Sequence, residues 1–132
     1  MRAGTLAFAL VVLWASTSFA QPCLHGPSES PEQAARRKDA LAAARLVNTL
    51  QANQPGAAQR HFLRHEELAN GARNIPSTVE LAPTDQLIPG WTLKVDVSAT
   101  GYWFAITDTT DACGFRYIST EDGIILSAEP IR

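Results

Sequence analysis

Two histidines four positions apart, His61 and His65, have the spacing that most directly suggests chemistry. On a helix they would share one face and could bind a metal ion together, with Glu66 and His25 as further ligands. The segment is HFLRH, however, and lacks the glutamate that the HExxH pattern of zinc peptidases places between its histidines. The spacing permits a metal site, but histidines on a solvated helix are the favoured interpretation.

A second candidate site is the acidic stretch Asp108-Thr109-Thr110-Asp111, with Glu121 and Asp122 on a nearby turn. Carboxylate oxygens are the ligands that calcium prefers. The stretch lacks the D-x-D-x-D-G spacing of the common calcium loops, and aspartate and threonine also favour turns without any ion. The sequence therefore allows a calcium site at Asp108 and Asp111 but does not require one.

Covalent catalysis has little support in the sequence. There is no G-x-S-x-G motif and no glycine-rich phosphate-binding loop. A Ser-His-Asp triad that meets only in space stays open. The prediction is nevertheless a protein that is not an enzyme and that needs no cofactor.

Length and charge narrow the classes of partner. A chain of 132 residues supports one small domain, predicted over residues 31–132. The formal net charge of −2 gives no electrostatic reason to bind nucleic acid or an anionic membrane. The cationic triplet Arg36-Arg37-Lys38 is interpreted as a solvated helix face.

Residues 1–20 have the pattern of a secretory signal peptide. Arg2 precedes an apolar run over residues 6–14, and the small residues Ser18 and Ala20 occupy the −3 and −1 positions of a cleavage site. The run is shorter than the roughly 20 residues that span a bilayer. The expectation is a secreted or periplasmic protein with no membrane span after cleavage; an uncleaved anchor is the alternative.

Export makes a disulfide the expected state of the two cysteines, Cys23 and Cys113. Such a bond would tie the segment over residues 21–30, predicted to be an extended leader, to a loop of the sheet. Two free or intermolecularly bonded cysteines are the alternative.

The first regular element is predicted to be a helix that starts beside Ser30 and ends near Asn53. Ser30 can cap it, Pro31 suits its first position, and Gln33 can complete a capping box. Apolar residues follow at helical spacing and form a narrow stripe: Ala40, Ala43, Leu46, Val47 and Leu50. The helix is therefore amphipathic.

Four strands are predicted in the last forty residues. Alternation of apolar and polar residues marks WTLKVDVSA and YWFAIT, and FRYIS and IILSA follow on either side of a turn at Glu121-Asp122-Gly123. A short edge strand around residues 77–81 is a further possibility. The expected fold is α+β, an N-terminal amphipathic helix packed on a C-terminal four-stranded antiparallel meander, with Trp91 and Leu93 facing the helix.

Three segments in this order resemble the soluble heads of type IV pilins and type II secretion pseudopilins: ALAAARLVNTLQANQPG, HFLRHEELANG and GYWFAITDTTDACGFRYISTEDGII. The chain lacks the prepilin leader and the continuous anchor helix of those proteins. The resemblance implies a non-enzymatic, exported domain. It also implies that the loop at Asp108–Asp111 could hold calcium, as pseudopilin heads can.

The leading hypothesis is an exported pilin-like domain that acts through protein–protein contacts in the cell envelope or outside the cell. Its interaction surface is predicted on the outer sheet face around Trp103 and Arg116, with the loop over residues 108–114. The alternative is a periplasmic module that binds a small ligand or a metal through His61, His65 and the acidic loop.

Overall fold

The structure is a computed structural model that describes residues 23–27, 29–59, 61–74, 79–82 and 85–129. Its elements are α1 (Pro31–Asn53), a short 3₁₀ turn (Ala57–Gln59), α2 (His65–Ala72), β1 (Gln86–Ile88), β2 (Trp91–Val97), β3 (Tyr102–Asp108), β4 (Arg116–Thr120) and β5 (Ile125–Ala128). The α+β class is confirmed. The predicted signal peptide, residues 1–20, lies outside the described residues.

Helix α1 begins and ends where its local signals place it. The Ser30 hydroxyl accepts the Gln33 backbone N–H, and the Gln33 side chain accepts the Ser30 backbone N–H, so the predicted capping box is formed. The helix ends at Asn53, ahead of Pro55. The helix was predicted to be N-terminal, but it lies at Pro31–Asn53 and follows a segment in which the Glu29 N–H bonds to the Gly26 carbonyl. That segment, predicted to be extended, therefore contains a turn.

The sheet has five strands in the order β1-β2-β3-β4-β5, all antiparallel, instead of the four predicted. The additional strand, β1, has only three residues and pairs irregularly with β2. A run this short, one position ahead of Pro89, carries no measurable alternation of apolar and polar residues. The edge strand suggested around residues 77–81 is wrong for its described part, since Val79–Leu81 is not in a strand.

Helix α1 packs on the inner face of the sheet through its small residues. Ala40, Ala43 and Ala44 are fully buried, so the helix backbone can lie close to the strands. Opposite them, Trp91 and Leu93 are buried, as predicted for the strand face toward the helix. One contiguous core therefore forms between the predicted apolar stripe and the predicted inner face.

A polar contact fixes the position of α1 along the sheet. The Asn48 side chain accepts the Tyr102 hydroxyl at 3.0 Å and donates to the Ser119 hydroxyl and the Gly123 carbonyl, each at 3.0 Å. It thereby joins the helix to β3, β4 and the turn after β4. Because Ser119 is buried, these bonds replace water that the polar groups lose on folding.

Candidate functional site

The face of the sheet opposite α1, called here the outer face, follows from the strand register. Residues directly opposite each other in an antiparallel pair point to the same side. The pairs Lys94–Ala105, Ala105–Ile118 and Ile118–Leu126 therefore form one row across four strands. Two further rows flank it and complete the outer face: Asp96, Trp103 and Thr120 on one side, and Thr92, Thr107, Arg116 and Ala128 on the other.

The middle row of the outer face is apolar and uncovered among the described residues. None of its side chains belongs to the core cluster that the helices share with the inner face. Leu126 is 60% exposed, and Ile124, at the end of the turn before β5, is 59% exposed. Ala105 is buried and Ile118 is half-buried, so the largely exposed apolar side chains are Leu126 and Ile124. The strip over Ala105, Ile118 and Leu126 thus lies outside the core beside Trp103, and its exposure is concentrated at Leu126.

The two residues predicted to form the interaction surface both lie on this face. Trp103 is half-buried, and the Lys94 ammonium lies 5.4 Å from its ring centroid. Arg116 is also half-buried, and its Nε donates to the Gly114 carbonyl at 3.4 Å. Sequence reasoning placed these two residues correctly on one face but did not select Ile118 and Leu126. Their place on the outer face follows from cross-strand register, which a single sequence does not state.

The loop over residues 108–114, predicted to be part of the same surface, is engaged within the molecule. Asp108 accepts the Thr110 backbone N–H at 2.9 Å and its hydroxyl at 2.7 Å, and Arg36 lies 3.7 Å from the same carboxylate oxygen. Cys113 is bonded to Cys23, which confirms the predicted disulfide. This loop therefore holds the fold together and leaves few polar groups for a partner.

The N-terminal segment is also held by an ionic clamp that sequence reasoning missed. The His25 ring contacts the Asp111 carboxylate through Nδ1 and the Glu129 carboxylate through Nε2, the latter at 3.0 Å. Its side chain is only 8% exposed and packs 4.9 Å from the Phe115 ring centroid. His25 and Asp111 each lie two residues from a bonded cysteine. Once the disulfide is assumed, this spacing indicates that the two side chains lie close together.

The charges of this clamp stabilise one another. Burial alone lowers the pKa of His25, but the hydrogen bonds and charges of Asp111 and Glu129 outweigh it and raise the pKa above its usual value. Burial raises the pKa of Asp111, but the N–H groups of Cys113 and Leu24 and the His25 ring lower it overall. With both imidazole nitrogens engaged by carboxylates, His25 is not free to act as a general base.

The cationic triplet is more than a solvated face. Arg36 reaches Thr110 and the Pro89 carbonyl, while Arg37 pairs with Glu29 and lies 5.7 Å above the Phe115 ring. Lys38 alone of the three is exposed. The start of α1 thus binds both the N-terminal segment and the loop before Cys113.

The predicted metal ligands are not brought together. Helix α2 begins at His65, so His61 precedes it and the two do not share a helical face. The His65 Nε2 instead lies 3.0 Å from the Ala82 carbonyl, and His61 is exposed. Among the described residues, the group of three ligating side chains that do converge is Cys23, Asp111 and Cys113.

The acids proposed for calcium have separate partners. Asp108 is bonded to Thr110, Asp111 to His25, and Asp122 to the Thr120 hydroxyl and the Ile124 N–H. Calcium binding by Asp108 and Asp111 stays a prediction that this geometry does not favour.

A shallow cleft of about 330 Å³ lies near His61. Its polar lining comes from His61, Arg64 and Glu67, and its apolar lining from Phe62 and Val97. His65 does not line it.

No protein family, curated protein or solved structure matches this chain. None of the helices among the described residues is both long enough and apolar enough to cross a membrane.

Proposed function

We propose that this chain is an exported, non-enzymatic domain that binds another protein through the outer face of its sheet. The observation that carries the proposal is the apolar row Ala105, Ile118 and Leu126, which no described element covers. Contiguous exposed apolar surface on a small domain is costly in water and commonly marks a contact site.

The outer face also indicates the chemistry of the partner. Lys94 stands at one end of the apolar row, and Arg116 lies in the adjacent row. A complementary protein surface would present an apolar ridge with carboxylates on the side that meets these two cations. The net charge of −2 supports a protein over a nucleic acid as the partner.

Export is supported by two independent features. The disulfide between Cys23 and Cys113 is stable in oxidising compartments, and the pattern of residues 1–20 is that of a signal peptide. Both features support a secreted or periplasmic location. The order of one long helix and then an antiparallel meander is in keeping with a pilin-type head, and a partner in the envelope or the secretion machinery would fit that resemblance.

The proposal is tested by chemical cross-linking in the producing cell, with the Leu126→Asp variant as the perturbation. Leu126 is largely exposed, so the charge should leave the fold intact while placing a carboxylate in the apolar row. The matched control is Thr49→Asp on the exposed side of α1. We expect a discrete cross-linked species for the parent and for Thr49→Asp that is lost for Leu126→Asp. Equal cross-linking by all three proteins would reject the outer face as the contact site.

A second candidate function, a small-ligand-binding module, has one observation in its favour. The cleft beside His61 brings an imidazole, the Arg64 guanidinium and the Glu67 carboxylate around one opening. The Glu67 carboxylate, however, already accepts the Arg64 backbone N–H at 2.7 Å. Ligand-dependent changes in the NMR signals of His61, without changes at Leu126, would favour this function over the first.

A further inference from the structure

Two short segments with the same internal spacing meet beside the disulfide. Cys23-Leu24-His25 and Asp111-Ala112-Cys113 each place two metal-capable side chains two positions apart, with one residue between them. The ligating atoms of Cys23, Asp111 and Cys113 all lie within 4.8 Å of one another. The His25 Nδ1 is in contact with the Asp111 carboxylate, so a fourth donor adjoins one of these three ligands.

These four donors match the preference of zinc. Zn²⁺ is usually held in proteins by four ligands drawn from cysteine sulfur, histidine nitrogen and carboxylate oxygen. Bonds of about 2.0–2.3 Å to a tetrahedral ion place neighbouring ligand atoms roughly 3–4 Å apart. Once the sulfur–sulfur bond is broken, the ligating atoms of Cys23, Asp111 and Cys113 reach that arrangement by shifts of about 1–2 Å, which side-chain rotation can supply. The His25 ring contacts Asp111 but lies outside the 4.8 Å group, so it joins the site by rotating toward the sulfur atoms.

The ligands are also oriented by a second set of contacts. The His25 Nε2 faces Glu129 at 3.0 Å, which leaves Nδ1 directed toward Asp111. Asp111 Oδ1 accepts the backbone N–H groups of Cys113 at 2.8 Å and Leu24 at 3.3 Å. A histidine that binds zinc commonly donates its other ring N–H to a carboxylate in this way, and such outer contacts raise metal affinity.

We propose that reduction of the Cys23–Cys113 disulfide converts this position into a tetrahedral Zn²⁺ site held by Cys23, His25, Asp111 and Cys113. The disulfide and the metal are then alternative occupants of one site. Either one fastens the N-terminal segment to the loop before β4. This inference does not depend on the outer face as a protein-contact surface.

The conversion balances with a dithiol as the reductant. The dithiol gives two electrons and two protons to the disulfide, becomes a disulfide itself, and leaves two thiols on the chain. Both thiols lose their protons as their sulfurs bond to Zn²⁺. In the reverse direction a disulfide oxidant takes two electrons, the sulfur–sulfur bond forms again, and the metal leaves.

The test uses the full chain, reduced with a dithiol in the presence of a chelator and then freed of both reagents without oxygen. Cobalt(II) replaces zinc as a probe, since its thiolate-to-metal and ligand-field absorption reports tetrahedral sulfur coordination. Native mass spectrometry with Zn²⁺ then counts the bound ions. We expect one metal ion per reduced chain and none on the oxidised chain.

Three variants locate the site. His25→Ala removes a ligand and should lose the tetrahedral cobalt spectrum. Glu129→Gln removes only the outer contact and should weaken zinc affinity by about 10–100-fold. His61→Ala, at an exposed histidine outside the group, is the matched control and should bind zinc as the parent does.

Several results would overturn the proposal. These are a reduced chain that binds no cobalt, metal bound equally by the oxidised chain, or unchanged affinity in both His25→Ala and Glu129→Gln. If the reduced, metal-free chain unfolds, stoichiometric Zn²⁺ should restore its far-ultraviolet circular dichroism, because metal binding is then coupled to folding. Failure of zinc to restore the spectrum would also count against the site.

Discussion

Replacement of both cysteines by alanine should remove much of the stability of this domain. The bond joins positions that are 90 residues apart, so it restrains most of the unfolded chain. Closing a loop of that size is worth about 4.6 kcal/mol at 25 °C if the effect is loss of chain entropy in the unfolded state. Small domains are stable by only about 5–15 kcal/mol, so the loss is a large fraction of the total. Alanine is chosen because Cys113 is buried and a serine hydroxyl there would add a separate cost.

The assay is urea unfolding followed by tryptophan fluorescence, in the presence of a chelator so that no metal replaces the bond. The Cys23→Ala/Cys113→Ala variant and the reduced parent should lose similar amounts of unfolding free energy. In both proteins the slope of the unfolding free energy against urea concentration should be slightly steeper than in the oxidised parent, because an unfolded chain without the bond exposes more surface. A loss below about 1 kcal/mol in both proteins would show that the bond restrains little of the unfolded chain, contrary to this explanation.

Three further predictions concern the contacts around the helix and the clamp. Asn48→Ala should lower the free energy of unfolding by about 1–3 kcal/mol, since it leaves the Tyr102 hydroxyl without its partner. The control, Thr49→Ala on the exposed side of α1, should lower it far less. Equal losses in the two variants would contradict a stabilising role for the Asn48 contact. In the oxidised chain, His25 has a raised pKa, so its contribution to stability is complete below about 6.5 and is lost as the pH rises through that raised pKa. Asp111 has a lowered pKa, so its contribution is present above about 3.8 and is lost as the pH falls through the lowered value. The melting temperatures of the parent and of His25→Gln should therefore be compared from pH 3 to 9. The parent should exceed the variant most between about pH 3.8 and 6.5, and the same difference at every pH would contradict the clamp. Gly90→Ala should lower stability by about 1 kcal/mol or more, because Gly90 has a φ of +82° and an added Cβ would meet the Arg36 guanidinium; unchanged thermal stability would show that the turn relaxes.

The parts of the fold that follow from local signals were predictable. The capping box joins Ser30 and Gln33, which are three positions apart, so the local sequence is enough to predict the start of α1. The long strands also carry enough residues for alternation to show, and the two cysteines allow only one intramolecular pair. Strand β1 was missed because three residues are too few for any period to appear.

The candidate site was predictable only in part, because its features arise from long-range pairing. Trp103 could be assigned to the outer face by its position within one strand. The row that includes Ile118 and Leu126 depends on the register of three strands, which a single sequence does not state. The His25–Asp111 contact joins residues 86 positions apart and exists only once the disulfide and the sheet have formed. Conversely, the four-residue spacing of His61 and His65 suggested two ligands on one helical face. Helix α2 begins only at His65, so His61 is not on that helix.

Site-specific photo-cross-linking in the producing cell shows whether the outer face is the surface that contacts another protein. A photoreactive amino acid is placed in turn at Leu126 and at Thr120, both on the outer face, and at Thr49 on the exposed side of α1. The account predicts one adduct of the same mass from the two outer-face positions, no adduct from position 49, and loss of the adduct when Ile118→Asp is added. Adducts at position 49 alone, or none at either outer-face position, would contradict the outer face as the protein-contact surface.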